Sequence, residues 1–206
     1  PLIFYISQKH HKLLMTSKDF VNEILRKSIH LTSILIIIIY AYAGKPAILA
    51  VLTAYLLIIL IIEHLRLEHD VKIPLFHFLF REKEKSQLSG HVFFTIGALI
   101  SISVFSKDIA YASILMTTFG DLSAALVGKA FGRTLIFGKS KSLEGCAAEF
   151  AVDFVIGYAF LGSLIVASVM AFTATIVEAM VDKIDDNLAI PVFSGTCGQA
   201  AMIVFS

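Results

Sequence analysis

Two apolar runs, SIHLTSILIIIIYAYAG at residues 28–44 and PAILAVLTAYLLIILII at residues 46–62, are separated by a single lysine, Lys45. Neither run contains an acidic residue, a lysine or an arginine, and each is as long as a bilayer-spanning helix, about 17–25 residues. Of the 206 residues, 57% are hydrophobic and 16% are charged, whereas a typical soluble domain is about 25% charged. The composition therefore excludes a soluble globular domain and a disordered chain. It predicts an all-α fold, a polytopic integral membrane helical bundle.

About seven transmembrane helices are predicted from the uncharged runs. The boundary between the fifth and the sixth is the least marked, because the 35 residues from Cys146 to Met180 contain no polar loop. One helix of that length would be about 52 Å long, which exceeds a hydrocarbon core of about 30 Å, so we predict a tight hairpin near Gly162. The predicted crossings are residues 29–44, 46–62, 90–106, 109–127, 146–162, 163–180 and 189–206.

The basic residues predict the orientation. The chain has 17 lysines and arginines, and all but Lys45 and Lys107 fall on alternate loops. Because loops rich in lysine and arginine face the cytoplasm, we expect the N-terminus to be cytoplasmic.

Residues 1–28 are predicted to form an amphipathic, interfacial segment ahead of a transmembrane catalytic domain at residues 29–206. The net charge of +1 excludes a nucleic-acid partner bound through bulk positive charge.

Asp121 lies inside the fourth predicted crossing, about two turns before its cytoplasmic end. A carboxylate at that depth is costly unless it is paired with a cation or bound to a metal. We interpret it as a metal ligand or a base, and the alternative is a structural ion pair with a nearby lysine or arginine. Gly120, Ala124 and Gly128 recur every four residues beside it, so one face of this helix is small and lets another helix approach closely.

The loop Gly138–Gly145 reads GKSKSLEG, a composition that suits a phosphate-binding segment. Glycines permit close approach of the backbone, and the ammonium groups of Lys139 and Lys141 can contact phosphate oxygens. Glu144 follows at the start of the fifth crossing, where it could bind a metal or cap the helix N-terminus. The alternative is a basic loop that only touches anionic lipid.

Further carboxylates occur at helical spacing near the same end of the predicted bundle. Glu149 and Asp153 are four residues apart and share a helix face. Glu178 and Asp182 repeat this spacing, and Asp186 follows. Together with the lysines, these acids suit a Mg²⁺–triphosphate site, since Mg²⁺ takes oxygen ligands from one or two carboxylates and from substrate phosphates. The alternatives are a solvated loop charge for Asp186 and a buried lysine partner for Glu149.

Another charged group precedes the first crossing. Glu23, Arg26, Lys27 and His30 are spaced by three or four residues and share one helix face. That face is either an interfacial anchor or a cover that closes the active site.

The motifs occur in a fixed order: Glu23-x-x-Arg26-Lys27-x-x-His30, Gly120-Asp121, Gly128-Lys129-x-Phe131-Gly132, Lys141-Ser142-x-Glu144-Gly145, and Glu178 followed by Asp186-Asn187-x-x-Ile190-Pro191. Over about residues 20–206 this order resembles the dolichol kinase, phytol kinase and CTP-dependent diacylglycerol kinase family. The phosphatidate cytidylyltransferases are similar in turn, but they have a Ser-Pro in the phosphate loop and a final Pro-Gly-His-Gly-Gly segment. This chain lacks both, which favours the kinase branch.

The resemblance implies transfer of the γ-phosphate of CTP to a membrane lipid alcohol at the cytoplasmic face, with Mg²⁺ as the cofactor. The partners would be the nucleotide, the lipid alcohol and the bilayer, and the small-residue faces permit a homodimer. The implied nucleotide-binding residues are Lys129, Arg133, Lys139, Lys141, Ser142 and Gly145. The implied metal ligands are Asp121, Glu144 and Asp186. One of Asp121, Asp182 and Asp186 would orient or deprotonate the alcohol, and the supporting residues would be Glu23, Arg26, Lys27, His30, Glu178 and Asn187.

Two other functions are compatible with parts of this pattern. A cytidylyltransferase would use the same CTP, Mg²⁺ and membrane lipid, but it would make a CDP-lipid and pyrophosphate. An ion-coupled transporter would need acids along a path across the bilayer, whereas nearly all the acids here gather at one face, with Asp108 on the other side and Asp153 deeper. The sequence leaves open the identity of the alcohol, which could be polyprenol, phytol, geranylgeraniol or diacylglycerol, and the choice between CTP and another nucleotide.

Overall fold

A computed structural model describes residues 33–69, 87–136, 141–181 and 183–205. The segment predicted at residues 1–28 lies outside these ranges, together with Glu23, Arg26, Lys27, His30, Lys139 and Asp182. Regular structure in the described ranges is helical, apart from an isolated antiparallel bridge between Leu135 and Ser142. The all-α prediction is therefore confirmed for this part of the chain. The helices are α1 Ser33–His69, α2 Gly90–Val104, α3 Lys107–Leu115, α4 Asp121–Phe131, α5 Leu143–Leu161, α6 Leu164–Met180 and α7 Asp186–Phe205, and a π-helical segment, Met116–Gly120, joins α3 to α4.

Helix α1 is broken at Gly44 into two arms. Gly44 has φ 84° and ψ 173°, values outside the helical region, and Pro46 follows it. The positive φ explains the glycine, because residues with a Cβ rarely adopt it. The break coincides with the single lysine that separates the two apolar runs of the sequence.

Contacts to other helices show that the chain reverses direction at this break. In the first arm, Ser33 accepts a hydrogen bond from the Thr118 hydroxyl at 3.0 Å, beside the π-helical segment. At the break, Lys45 donates to the Ser103 carbonyl at 2.9 Å, near the end of α2. In the second arm, Arg66 donates to the Gln87 carbonyl at 2.7 Å, just before α2 begins. The first arm thus runs antiparallel to α3, and the second runs antiparallel to α2.

The predicted hairpin between the fifth and sixth crossings is confirmed. Helix α5 ends at Leu161, and Gly162 follows in the left-handed conformation with φ 64°. Its backbone N–H donates to the Tyr158 carbonyl at 2.9 Å, which is a common way to end a helix. Ser163 then caps α6 by accepting a hydrogen bond from the Val166 N–H at 3.4 Å.

Several helices are apolar enough to cross a membrane. By length and composition, three candidate spans occur among the described residues, Ser33–Glu68, Lys107–Phe131 and Asp186–Phe205. Helices α2 and α6 are also apolar but shorter. The total of about seven crossings and the cytoplasmic N-terminus remain predictions.

Helix α3 forms the centre of the bundle. Every residue from Ile109 to Leu115 is buried, and Tyr111 packs edge-on against Tyr40 of α1 and Phe160 of α5. In α4, which continues the same rod, Asp121 is the buried residue. The π-helical segment between them contains an extra residue per turn, which rotates α4 by about 100° around the axis relative to α3. Asp121 therefore marks the point where this rod leaves the core.

Helices α4 and α5 approach closely through small residues. A Cβ atom added to Gly145 would lie 2.8 Å from the Ala124 carbonyl oxygen and 3.3 Å from the Gly128 Cα. A Cβ atom added to Gly120 would overlap the Asp153 carboxyl group. The prediction that Gly120, Ala124 and Gly128 form a face for close helix packing is confirmed, and α5 is the partner.

Candidate active site

A polar cavity of about 530 Å³ lies beside α4, where the end of α6 meets the starts of α5 and α7. Five carboxylates and three lysines line it, a high charge density for a chain with so few charges. Apolar and small residues complete its walls. The lining residues are Gln87, Leu88, Phe93, Asp121, Ala124, Ala125, Gly128, Lys129, Lys141, Ser142, Gly145, Cys146, Glu149, Glu178, Val181, Lys183, Ile184, Asp185 and Asp186.

Three of these acids, Asp121, Glu178 and Asp186, form an acidic trio. One carboxylate oxygen of each lies within 4.8 Å of the others. Asp121 is the first residue of α4, Glu178 lies near the end of α6, and Asp186 begins α7. Carboxylate oxygens are the ligands that Mg²⁺ and Ca²⁺ prefer, so the donor set fits a hard divalent cation.

Lys141 lies against the acidic trio. Its Nζ is 2.9 Å from Glu178 Oε1, and it also donates a hydrogen bond to the main-chain carbonyl of Glu178. Burial by itself lowers the pKa of Lys141, but the carboxylates of Glu178, Asp186 and Asp121 outweigh that effect and hold the pKa above its usual value. The side chain is therefore a cation at neutral pH. It balances part of the negative charge of the trio.

Ser142 and Gly145 set the start of α5 beside the cavity. Ser142 is the N-cap residue, and its Oγ accepts a hydrogen bond from the Gly145 N–H at 3.2 Å. Ser142 also pairs with Leu135 in the isolated antiparallel bridge, and the Leu143 N–H donates to the Thr134 carbonyl at 2.9 Å. The predicted phosphate loop thus enters α5 as a capped helix N-terminus, where backbone N–H groups favour anions.

Glu144 lies apart from the acidic trio. Its two carboxylate oxygens accept hydrogen bonds from the Thr134 N–H at 3.2 and 3.3 Å. Hydrogen bonds from its own backbone N–H and from Thr134 hold the pKa of Glu144 below its usual value. The structure pairs Glu144 with the backbone of Thr134, and its two roles from the sequence, metal ligand and helix cap, remain predictions. Arg133 is exposed on the neighbouring loop and does not line the cavity.

The other predicted residues have distinct positions. Lys129 lies on the exposed side of α4 and lines the cavity. Asn187 is buried and donates its side-chain amide to Asp185 Oδ1 at 2.8 Å, while its backbone N–H donates to the same oxygen at 3.1 Å. This pairing fixes the start of α7, which places Asp186 in the cavity.

Sequence reasoning missed some features of the cavity. Glu178 was predicted only as a supporting residue, although it completes the trio. Lys183 and Gln87 line the cavity and were not predicted at all. The spacing of Glu178 and Asp182 was the available signal for Glu178, but spacing along one helix does not say which acids of other helices it meets.

The apolar helices support an integral membrane protein, and the carboxylates of its polar cavity offer a donor set that fits a divalent cation. The chain is similar to CTP-dependent diacylglycerol kinase 1 of Schizosaccharomyces pombe, with 34% identity over 134 residues that cover 56% of this chain and 62% of the relative. It is 26% identical to CTP-dependent diacylglycerol kinase 1 of Saccharomyces cerevisiae over 228 aligned positions, which cover 91% of this chain and 77% of the relative. An uncharacterized protein of Methanocaldococcus jannaschii is 30% identical over 175 residues, 82% of this chain and 88% of the relative.

The chain is therefore similar, over much of its length, to proteins named CTP-dependent diacylglycerol kinase 1, and this similarity supports membership of the polyprenol kinase and CTP-dependent diacylglycerol kinase family. The chain spans less than two thirds of the length of the Schizosaccharomyces pombe kinase. No protein-family model matches the chain, and no solved structure matches it.

Proposed function

We propose that this protein is a CTP-dependent lipid kinase that transfers the γ-phosphate of CTP to the hydroxyl of diacylglycerol or of a membrane isoprenoid alcohol. One observation carries the proposal: the acidic trio and Lys141 face one cavity in a chain similar to proteins named CTP-dependent diacylglycerol kinases. Phosphoryl transfer depends mainly on positioning and on neutralising phosphate charge. A cation site beside a lysine can position the phosphate groups and neutralise their charge.

The acidic trio would hold Mg²⁺. When bound there, Mg²⁺ would neutralise charge on the transferred phosphate and on the CDP leaving group. The three carboxylates come from different helices, so their relative positions depend on helix packing and not on one flexible loop. Asp121 and Asp186 are the residues that the sequence and the cavity support together.

The triphosphate would bind across the lysines and the N-terminus of α5. Lys129, Lys141 and Lys183 line the cavity, and so does the capped start of α5. Ser142 and Gly145 bring backbone N–H groups into the same wall. Lys139 and Arg133 remain proposed contacts from the flanking loop, and Asp182 remains a proposed catalytic residue.

The proposed cytoplasmic location of the site is supported by Lys45 and Lys107, the two lysines that lie outside the alternate loops rich in basic residues. Lys45 contacts Ser103 at the end of α2, and Lys107 begins α3. Asp121 lies 14 residues beyond Lys107 on the same helical rod, about 21 Å along its axis. The cavity and these lysines are thus at opposite ends of the bundle, which supports a cytoplasmic cavity if loops rich in lysine and arginine face the cytoplasm.

A product assay tests the proposal. The purified chain in lipid nanodiscs would receive Mg²⁺, γ-labelled CTP and either diacylglycerol or a polyprenol, and both lipid phosphate and CDP would be measured. We expect labelled lipid phosphate with equal release of CDP, and its loss in Asp121→Asn but not in Glu68→Gln, an exposed position outside the cavity. Release of pyrophosphate with a CDP-lipid product would refute the kinase and support the cytidylyltransferase. If no alcohol yields labelled lipid phosphate, that result would also refute the proposed kinase activity.

A further inference from the structure

Glu149 is a buried acid that the proposed cation and phosphate contacts do not use. It lines the cavity, and its relative exposure is 0%. Neither of its carboxylate oxygens has a hydrogen-bond partner among the described residues. A buried carboxyl group without a partner is unfavourable, so these oxygens can gain stability by accepting a hydrogen bond from a ligand in the cavity that Glu149 lines.

The position of Glu149 on α5 separates it from the phosphate end of the cavity. Ser142, Gly145, Cys146 and Glu149 line the cavity along one face of the helix. Glu149 lies seven residues beyond Ser142, about 10 Å farther into the bundle along the axis. The lysines lie near the loop end, whereas Glu149 lies on the side that continues into the apolar helices.

The surroundings of Glu149 decide which ligand chemistry it suits. Glu149 does not belong to the acidic trio, the three carboxylates whose oxygens lie within 4.8 Å of one another. Lys141, the cation nearest to it in the sequence, is engaged by Glu178. The unpartnered oxygens of Glu149 can accept a hydrogen bond. An alcohol O–H can donate to them, whereas the oxygens of an ionised phosphate have no proton to donate. The ligand that fits is therefore a neutral donor such as an alcohol O–H.

We propose that Glu149 binds the hydroxyl of the acceptor lipid alcohol by accepting its hydrogen bond, and so directs the hydroxyl oxygen toward the phosphate held at the acidic trio. This inference rests on the proposed function, because the acceptor alcohol is the neutral donor of that reaction. Asp153, one turn deeper on α5, is also buried without a hydrogen-bond partner among the described residues, but it does not line the cavity and packs against Gly120. It is not part of this site.

Steady-state kinetics in nanodiscs would test the proposal on the full chain. The amount of diacylglycerol in the disc would be varied at saturating CTP, and binding of labelled CTP would be measured separately. A hydrogen bond accounts for roughly a 3- to 10-fold difference in equilibrium. For Glu149→Leu, which removes both oxygens, we expect the KM for the alcohol to rise by about that factor, while affinity for CTP stays within about threefold. Phe150→Leu, next to it on the exposed side of α5, is the matched control and should match the wild type.

Two further readouts separate alcohol binding from a structural role. Glu149→Asp keeps the carboxyl group, so it should recover part of the affinity for the alcohol that the leucine variant loses. Slow hydrolysis of CTP by water should persist in Glu149→Leu, so the ratio of hydrolysis to transfer should rise. Equal loss of CTP binding, hydrolysis and transfer in both variants would overturn the proposal, and so would an unchanged KM for the alcohol. A wild-type chain that phosphorylates no alcohol would instead refute the proposed function itself.

Discussion

Replacing Gly145 by alanine should separate α4 from α5 and weaken catalysis. The added Cβ would lie 2.8 Å from the Ala124 carbonyl oxygen, whereas ordinary van der Waals contact begins at 3.4 Å. The helices must therefore move apart by about 0.6 Å. The carbonyl belongs to the backbone of α4, so no side-chain rotation can relieve the overlap.

The size of this shift sets the expected magnitudes. Overpacking costs about 1–3 kcal/mol, and the better helix propensity of alanine returns about 1 kcal/mol, so the net destabilisation should be about 0–2 kcal/mol. A displacement of 1 Å in a catalytic site can lower the rate about 100-fold. A shift of about 0.6 Å at Ser142 and Lys141 should therefore lower kcat/KM for CTP by about tenfold.

The assay is lipid phosphate formation from labelled CTP, with the thermal unfolding midpoint measured in the same detergent. Ala147→Ser is the matched control, because it adds one heavy atom to an exposed position of the same helix, and it should leave both quantities unchanged. A Gly145→Ala protein with a raised midpoint and with kcat/KM within twofold of the wild type would refute the argument that close packing of α4 and α5 positions the phosphate end of the site.

Three other predictions concern the cavity and its orientation. Glu178→Gln should lower the apparent affinity for Mg²⁺ by at least about 100-fold in a metal titration of the activity, with Glu68→Gln unchanged; equal Mg²⁺ dependence in the two variants would remove Glu178 from the cation site. Lys141→Gln should raise the KM for CTP by at least about tenfold, because it removes a charge-assisted contact, and an unaltered KM would show that Lys141 serves only Glu178. In a background without native cysteines, a membrane-impermeant thiol reagent applied to intact cells should label Lys45→Cys and spare Lys183→Cys, and the reverse result would invert the proposed orientation.

Much of the helical framework could be predicted because it depends on local chemistry. The break at Gly44 follows from two apolar runs on either side of Lys45, and the turn at Gly162 follows from a run too long for one crossing. The small face at Gly120, Ala124 and Gly128 is periodic, so close packing was foreseeable. The helix that packs against this face could not be predicted, because any helix with a small face of its own could have matched it.

The cavity could be predicted only in part. Asp121 and Asp186 were recognised because acids are rare and costly beside apolar helices. Glu144 could have been a metal ligand or a helix cap, and the sequence did not show that its carboxylate would accept a hydrogen bond from the Thr134 N–H. Glu178 joins the acidic trio because the end of α6 lies against the starts of α4 and α7, and that relation depends on helices far apart in the chain.

The sequence by itself determined that this protein is a bundle of apolar helices with its scarce charges near their ends, since hydropathy and charge are properties of single segments. The tertiary structure decided which charges act together. It brought three acids from separate helices within 4.8 Å of one another, placed Lys141 on one of them, and left Glu149 buried in the same cavity without a partner among the described residues. These arrangements depend on the relative rotation and spacing of packed helices, which no single segment encodes.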